Sequence, residues 1–188
     1  MRVIAGTARS LPLKTVPGSA TRPTTDRIKE TLFNMLQDKL PGCRFLDLFA
    51  GSGGIGIEAI SRGAKEAVFV DQSRAACRCI QDNLAFTRFT PKASVIQMDV
   101  LRALHRLEGR FDIIFMDPPY RQMLERSVLE EIMQLSLADE GTSLIVEAAK
   151  ETDFSYLSTL GLQTDRRKEY KTNVHMFLSI DPDLPLCQ

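Results

Sequence analysis

Hydrophobic positions from Lys39 onward follow two alternating patterns. Short apolar runs bounded by polar or glycine-containing segments predict strands, and the stretches between them carry apolar residues at helical spacing. Strands that alternate with helices of this length are typical of βαβ units, which build a parallel sheet covered on both faces. The predicted strands cover residues 44–49, 67–70, 94–97, 111–116, 143–147, 163–170 and 174–180, and the predicted helices cover 54–62, 73–88, 100–107 and 123–137.

The last two predicted strands differ from the others because only a short turn separates them. A turn of that length leaves no room for a crossover helix, so these two strands must pair antiparallel. The expected architecture is therefore α/β, with a mostly parallel sheet that ends in an antiparallel hairpin.

Two segments precede the sheet. Residues 2–22 contain glycines and prolines that predict a short hairpin or an arm. In the segment 22–36, Pro23 favours extended geometry before it, and the threonines or the aspartate that follow can cap a helix. Apolar residues at helical spacing then form one face of this helix, which leaves Arg27 and Lys29 near its polar side.

Length and composition bound the class of protein. The chain has 188 residues, 44% of them hydrophobic and 26% charged, with a formal net charge of zero. These values are typical of one globular domain, which we divide into a basic extension at 1–38 and a core at 39–181. No apolar run approaches the roughly 20 residues of a membrane span, and no signal peptide is evident, so a cytoplasmic protein without membrane association is expected. The four cysteines have no zinc-binding spacing, so no metal is expected, and a monomer is the default.

The charge is unevenly distributed. Residues 1–29 carry six basic side chains and one acidic one, whereas residues 121–153 carry three basic and eight acidic ones. A basic end on a neutral protein can be a nucleic-acid contact. Charge alone is equally consistent with a solvated N-terminal arm that binds no nucleic acid.

A glycine-rich loop follows the first predicted strand, in the sequence FLDLFAGSGGIGIEA. Gly51, Gly53 and Gly56 form a GxGxxG pattern that opens a helix, which is the context of a nucleotide-binding loop. Asp71 closes the second strand, where its carboxylate can accept bonds from two ribose hydroxyls. The pattern fits a dinucleotide and S-adenosylmethionine (SAM) alike, because both present a ribose and an anionic group to these positions.

Two further acids favour SAM. Asp47 lies in the first strand close to the loop, where it would repel a pyrophosphate and attract the α-ammonium of SAM. Asp99 follows the third strand and could accept a bond from an adenine amino group, although a helix cap is the alternative for either acid. The expected cofactor is SAM, with S-adenosylhomocysteine as product, and the other predicted contacts to it are Thr25, Phe49, Ser52, Gln72 and Val100.

The sequence FMDPPYRQM ends the fourth strand with a carboxylate, two prolines and a phenol. An amine on an aromatic base is a poor nucleophile because its lone pair is delocalised into the ring. The Asp117 carboxylate and the Pro118 carbonyl can accept its N–H groups, which would turn the lone pair toward a methyl donor. The consecutive prolines, Pro118 and Pro119, would hold both acceptors rigid. Tyr120 offers a face on which the base can stack. This chemistry needs no general base, and the two histidines, His105 and His175, are expected at the surface or in core packing.

Four segments together resemble the RsmD-type family of SAM-dependent methyltransferases: RVIAG at 2–6, RPTTDRIKETLFNML at 22–36, FLDLFAGSGGIGIEAISRGA at 45–64 and FMDPPY at 115–120. The resemblance implies a Rossmann-like class I fold and methylation of guanine N2 in bacterial small-subunit ribosomal RNA, free or in an assembling subunit. It also implies that the basic extension grips RNA, through Arg2, Arg9, Lys14, Arg22 and Arg27. The sequence departs from the family pattern at Arg9-Ser10 and Tyr170-Lys171, where glycine is expected second.

Three alternatives remain open at this point. One is the same fold acting on another nitrogen, adenine N6 or a protein glutamine. Another is an NAD-linked oxidoreductase, for which no acid–base residue is well placed. The last is a non-catalytic RNA-binding or assembly protein that retains the fold.

Overall fold

A computed structural model describes residues 1–16, 26–119 and 123–183. The α-helices are α1 Asp26–Met35, α2 Gly54–Ser61, α3 Arg74–Thr87, α4 Val100–Leu104 and α5 Leu124–Gln134. The strands are β1 Arg44–Leu48, β2 Glu66–Asp71, β3 Ala93–Gln97, β4 Ile113–Met116, β5 Ser143–Ala149, β6 Leu162–Glu169 and β7 Asn173–Ile180. Short 3₁₀ turns occur at Gln37–Lys39, Thr90–Lys92 and Leu157–Leu160.

All seven strands form one sheet in the order β3-β2-β1-β4-β5-β7-β6. β1 pairs parallel with β2 and with β4, and only β7 runs antiparallel to its neighbours β5 and β6. The predicted mostly parallel sheet and its antiparallel last strand are therefore confirmed. The predicted helix 100–107 was too long, because α4 ends at Leu104 and the chain continues as a turn.

Each face of the sheet has its own apolar core. One contains α4 and α5, with residues such as Leu129 and Met116, and the other contains α1, α2 and α3, with residues such as Phe33 and Phe115. The central strand β4 is buried at every position, which explains why its sequence is a continuous apolar run without alternation. Side-chain direction alternates along each strand, so the two cores take alternate residues.

The first residues form an irregular hairpin, as expected. The Val3 N–H donates to the Leu11 carbonyl (3.0 Å), and the Ser10 N–H donates back to the Val3 carbonyl (2.9 Å). The hairpin is fixed to α2 because the Glu58 carboxylate accepts the backbone N–H groups of Ile4 (2.7 Å) and Ala5 (2.9 Å). The part of the predicted arm from 17 to 25 lies outside the described residues.

Lys29 corrects one expectation about α1. The helical pattern placed it near the polar side, but its side chain is 1% exposed. Its ammonium lies 3.2 Å from the Glu58 carboxylate and donates to the Arg2 carbonyl (2.5 Å). Burial lowers the pKa of Lys29. This lysine therefore joins the hairpin, α1 and α2, and it does not add to the basic surface.

Candidate active site

The glycine-rich loop joins β1 to α2 at the carboxyl edge of the sheet. Gly53 caps α2 with φ of 77°, a left-handed conformation that favours glycine. A Cβ on Gly56 would lie 2.3 Å from the ring of Phe69, so only glycine lets α2 pack this closely on β2. The Asp71 carboxylate accepts the N–H groups of Gly51 (2.9 Å) and Ser73 (2.8 Å), which ties the end of β2 to the loop.

Asp47 lies directly beneath this loop. It is 1% exposed, and its carboxylate accepts the N–H of Gly56 at 2.9 Å. Burial raises the pKa of Asp47 to about 8, and the neighbouring charge of Asp71 adds to the increase. A buried acid of this kind favours a cation above it, since a cation stabilises the ionised form.

The other predicted cofactor residues have diverse surroundings. Asp99 is the N-cap of α4, with its carboxylate accepting the N–H of Arg102 (3.2 Å), so the capping alternative holds in this structure. Val100 is buried in the core, and Gln72 is exposed. Phe49 is half-buried in a left-handed conformation with φ of 60°. Thr25 lies outside the described residues.

The loop has the features that a SAM molecule needs. Gly51, Ser52 and Asp71 are half-exposed at the carboxyl edge, and a Cβ placed on Gly51 would meet nothing within 4 Å. Open space above Gly51 therefore lies beside a carboxylate suited to ribose hydroxyls and above the buried Asp47. The residues present fit the adenosyl donor, and the individual contacts stay predictions.

Asp117 follows β4, beside the loop. Its backbone N–H points at the Leu48 carbonyl at the end of β1 (3.4 Å), which places the loop and the acid at adjacent positions on the edge. The side chain is half-buried, and within the described residues it accepts no hydrogen bond. Burial raises the pKa of Asp117 to about 8, and the charges of Glu147 and Asp47 add to the increase. Pro118 is buried and Pro119 is exposed, while Tyr120 lies outside the described residues.

A buried polar cluster lies on the other side of Asp117. The Glu147 carboxylate on β5 accepts the side-chain amide of Asn173 and lies 3.0 Å from Nε2 of His175, both on β7. The His175 ring packs edge-to-face against Tyr170, with centroids 4.9 Å apart. Within the described residues, three buried polar atoms of this cluster lack a hydrogen-bond partner: the Tyr170 hydroxyl, Oδ1 of Asn173 and Nδ1 of His175.

The sequence pattern could have revealed this cluster. Glu147 is an acid near the end of a buried strand, the same signal that singled out Asp117. The sequence placed His175 only at the surface or in core packing, because it does not lie at the C-terminal end of a predicted strand. Since β7 is antiparallel, its first residues lie at the carboxyl edge with the ends of the parallel strands. His105, by contrast, is exposed as expected, and its Nε2 lies 3.1 Å from Glu131.

The predicted RNA-binding residues are only partly free. Arg2 pairs with Asp26 (2.8 Å) and Lys14 pairs with Asp82 (2.8 Å), in both cases between exposed side chains. Exposed pairs of this kind are weak and can exchange for phosphate. The remaining predicted residues are Arg9 and Arg27, which are exposed, and Arg22, which lies outside the described residues.

A polar contact missed by the sequence joins this basic region to the loop. The side-chain amide of Asn83 on α3 donates to the Ser52 carbonyl (2.9 Å) and to the Lys14 carbonyl (3.1 Å). Its oxygen accepts the Lys14 N–H (2.8 Å). No periodicity singles out a buried asparagine, so its role required the fold.

Comparisons with known proteins agree with this geometry. A family model described as Conserved hypothetical protein 95 matches residues 1–178. YlbH of Bacillus subtilis (strain 168), provisionally named an rRNA methyltransferase, is 41% identical over 172 residues, which are 90% of this chain and 92% of YlbH. Ribosomal RNA small subunit methyltransferase D of Escherichia coli (strain K12) is 40% identical over 143 residues, 75% of this chain and 68% of that protein. A solved structure from Escherichia coli, provisionally named methyltransferase yhhF, has a TM-score of 0.84 at 29% identity and covers 96% of this chain and 98% of its own.

The sheet order, the glycine loop and these likenesses define a Rossmann-like class I methyltransferase fold. The chain belongs to the family described as Conserved hypothetical protein 95, which is the RsmD-type family. The resemblance found in the sequence is thereby confirmed. None of the helices in the described part of the chain is long and apolar enough to cross a membrane.

Proposed function

We propose that the protein transfers a methyl group from SAM to the exocyclic N2 amine of a guanine in small-subunit ribosomal RNA. The observation that carries this proposal is the position of Asp117. It is a half-buried carboxylate with no internal donor in the described residues, at the strand next to the glycine loop. Crevices at the carboxyl edge, where the strand order reverses between β1 and β4, are the usual ligand sites of such sheets.

The loop side would hold the methyl donor. Asp71 takes the ribose hydroxyls, the loop backbone faces the carboxylate end, and Asp47 stabilises the positive charge from below. When bound, SAM supplies an electrophilic methyl group on a positively charged sulfur. This charge favours the ionised forms of Asp47 and Asp117, whose pKa values are raised in the free protein.

The Asp117 side would hold the amine. Its carboxylate and the Pro118 carbonyl accept the two N–H groups of N2, which localises the nitrogen lone pair and orients it. The adjacent prolines restrict the backbone, so the acceptors keep their positions when the base enters. A guanine within a stack must first turn out of it or already be unpaired.

The basic extension would position the RNA. Arg9 and Lys14 are exposed on the hairpin segment, and Asn83 joins Lys14 to the loop residue Ser52. Contacts to phosphate at the hairpin would thus be made close to the donor site. We assign residues 1–38 to RNA binding and residues 39–181 to catalysis. We further propose that the protein is a monomer in the cytoplasm, and that its substrate is small-subunit RNA or an assembling subunit. No metal takes part in this scheme.

The test is transfer of labelled methyl from SAM to small-subunit RNA, offered naked and as particles from cells that lack this methylation. The RNA is then digested to nucleosides and the labelled nucleoside is identified. We expect label in N2-methylguanosine, with one of the two forms as the better substrate.

The outcomes separate the alternatives. Label in N6-methyladenosine or in protein would move the assignment to another nitrogen acceptor. SAM binding without transfer to either form of the RNA would support a binding or assembly protein and contradict the proposed reaction.

A further inference from the structure

We infer that Glu147, held by Asn173 and His175, is a positioning residue that makes Asp117 the acceptor of the proton released from the target amine. This inference rests on the proposed function. It adds to the chain a proton-accepting group that the sequence did not suggest, and it gives the buried polar cluster a role in the reaction.

The register of the sheet brings the two acids together. Met116 on β4 pairs with Val146 on β5, so the next residues, Asp117 and Glu147, follow on neighbouring parallel strands. Phe115 and Ile145, two positions earlier, pack in the core that contains α1 and α2. Alternation therefore directs both carboxylates to that same face of the sheet.

Side chains on β7 hold Glu147 in place. One carboxylate oxygen accepts from Asn173, and the other lies 3.0 Å from Nε2 of His175. The His175 ring is itself enclosed between Tyr170 and Phe115, with centroids 4.9 Å and 6.0 Å away. Glu147 is 6% exposed, so it cannot turn into solvent without breaking these contacts.

The charges around Asp117 are mainly negative. Asp47 faces it from β1 and Glu147 from β5, and both raise its pKa in addition to the effect of burial. Tyr170, after β6, also has its pKa raised to about 12 by burial and by the charge of Glu147. Two cations of the described residues on this face, the buried Lys29 and the half-buried Arg62, both bind Glu58. In the described part of the chain, no cationic group lowers the pKa of Asp117.

This environment makes Asp117 a stronger base than an ordinary aspartate. As N2 forms its bond to the methyl carbon, the carbon–sulfur bond breaks and its electron pair stays on sulfur. The nitrogen then loses one proton to the Asp117 carboxylate and keeps the electron pair of that N–H bond. A carboxylate whose proton affinity is matched to the working pH performs this step better than a weak base. The proton later leaves to water after the methylated base has departed.

The direct test measures the titration of Asp117 in the free protein, with carboxyl-¹³C aspartate and assignment by Asp117→Asn. In Glu147→Gln the negative neighbour is removed and the shape is kept, so the Asp117 midpoint should fall by about 1 pH unit or more. An unchanged midpoint in a folded Glu147→Gln protein would overturn the inference.

Single-turnover methyl transfer across pH tests the catalytic consequence. Glu147→Gln should move the rate profile to lower pH and reduce its alkaline plateau by about 10-fold, because the base is weaker. A purely structural role would lower the rate equally at every pH and leave the midpoint of the profile in place.

A matched control is available in the pair His105, at the end of α4, and Glu131, on α5, whose atoms lie 3.1 Å apart on the helices of the opposite face. Glu131→Gln should change neither the Asp117 midpoint nor the rate profile. If Glu147→Gln does not fold, Asn173→Ala removes one anchor and keeps the charge, and a smaller fall of the Asp117 midpoint is expected. No fall in that variant would also count against the inference.

The proposed function and the role of Glu147 can be contradicted independently of each other. The titration uses no RNA, so a lowered midpoint without any N2-methylguanosine would contradict the proposed function and leave the electrostatic role of Glu147 in place. Formation of N2-methylguanosine with an unchanged Asp117 midpoint would support the proposed function and contradict the role of Glu147.

Discussion

The acids at the carboxyl edge of the sheet have different surroundings in its two halves. In the donor half, formed by the ends of β1 to β3, Asp47 and Asp71 accept backbone N–H groups of the loop and of Ser73. In the acceptor half, formed by the ends of β4 and β5 and the start of β7, Asp117 accepts none from the described residues. The described partners of the Glu147 carboxylate are the side chains of Asn173 and His175.

We interpret this difference as a division between binding the methyl donor and binding the target amine. Backbone donors fix the acids of the donor half whether or not a ligand is present, so the loop is preorganised. A half-buried carboxylate beside other negative charges is costly to ionise, as its raised pKa indicates, and such a cost is typical of a site completed by its ligand. The N–H groups of an amine would supply donors that the described residues do not offer to Asp117, which agrees with the proposed acceptor role.

The largest expected effect on stability concerns the support of the donor half by the hairpin. Lys29→Met removes a buried cation from Glu58, which still binds Arg62 and the hairpin backbone. We expect a loss on the order of 3 kcal/mol in the free energy of unfolding. Chemical denaturation measures it, with Lys92→Met, at an exposed lysine, as the control that should change little. Equal stability of the two variants would show that Lys29 is not the structural residue described above.

Asp71→Ala should separate donor binding from chemistry. Loss of a charged hydrogen-bonding group at the ribose position should weaken SAM binding by about 10- to 100-fold. Calorimetric titration measures the affinity, and Asp38→Ala, at an exposed acid in the turn after α1, serves as the control. Unchanged affinity in Asp71→Ala would mean that the cofactor lies elsewhere.

Ionising the half-buried Asp117 of the acceptor half should lower the free energy of unfolding at alkaline pH. Since the pKa of Asp117 is about 8 in the folded protein and near the ordinary 3.8 when unfolded, the folded state holds the extra proton between these values. The contribution of this proton to the free energy of unfolding is therefore fully present below about pH 4 and is lost as the pH rises toward 8. Asp117→Asn, which stays neutral, should melt higher than the wild type at pH 9, by about 2–4 °C per kcal/mol relieved, and no higher at pH 4. An alkaline melting temperature equal to that of the wild type would show that burying this acid carries no cost.

The smallest expected effects concern the basic extension, which we propose as the RNA contact. Replacing Arg9 and Lys14 together by alanine should weaken RNA binding and reduce the salt slope by about 1 for each phosphate that the variant no longer neutralises. Binding measured from low to high salt tests this, with exposed Lys65→Ala as the control. A slope equal to that of the wild type would remove these residues from the RNA interface.

The sequence predicted the fold well, because the fold depends on local patterns. Apolar runs mark strands buried on two faces, and an acid or a glycine placed directly after such a run must lie at the carboxyl edge. Asp47, Asp71 and Asp117 were found in this way. The same rule reaches Glu147, but the antiparallel direction of β7 hid His175 and Asn173.

The remaining differences come from contacts between distant segments. Lys29 is buried because Glu58 of another helix and the hairpin backbone surround it, and helical periodicity cannot show such a partner. Asn83 likewise acquires its role only when α3 packs beside the loop. Asp99 was open to two interpretations in sequence, and in this structure it caps α4.

The proposed reaction requires that Asp117 acts on the amine and not on the donor. One paired measurement on Asp117→Asn tests it: SAM affinity by calorimetry and the yield of N2-methylguanosine from small-subunit RNA in a single turnover. We expect an affinity close to that of the wild type and a rate of methyl transfer lower by about 10²- to 10⁴-fold. A wild-type rate, or a loss of activity explained by weakened SAM binding, would contradict it.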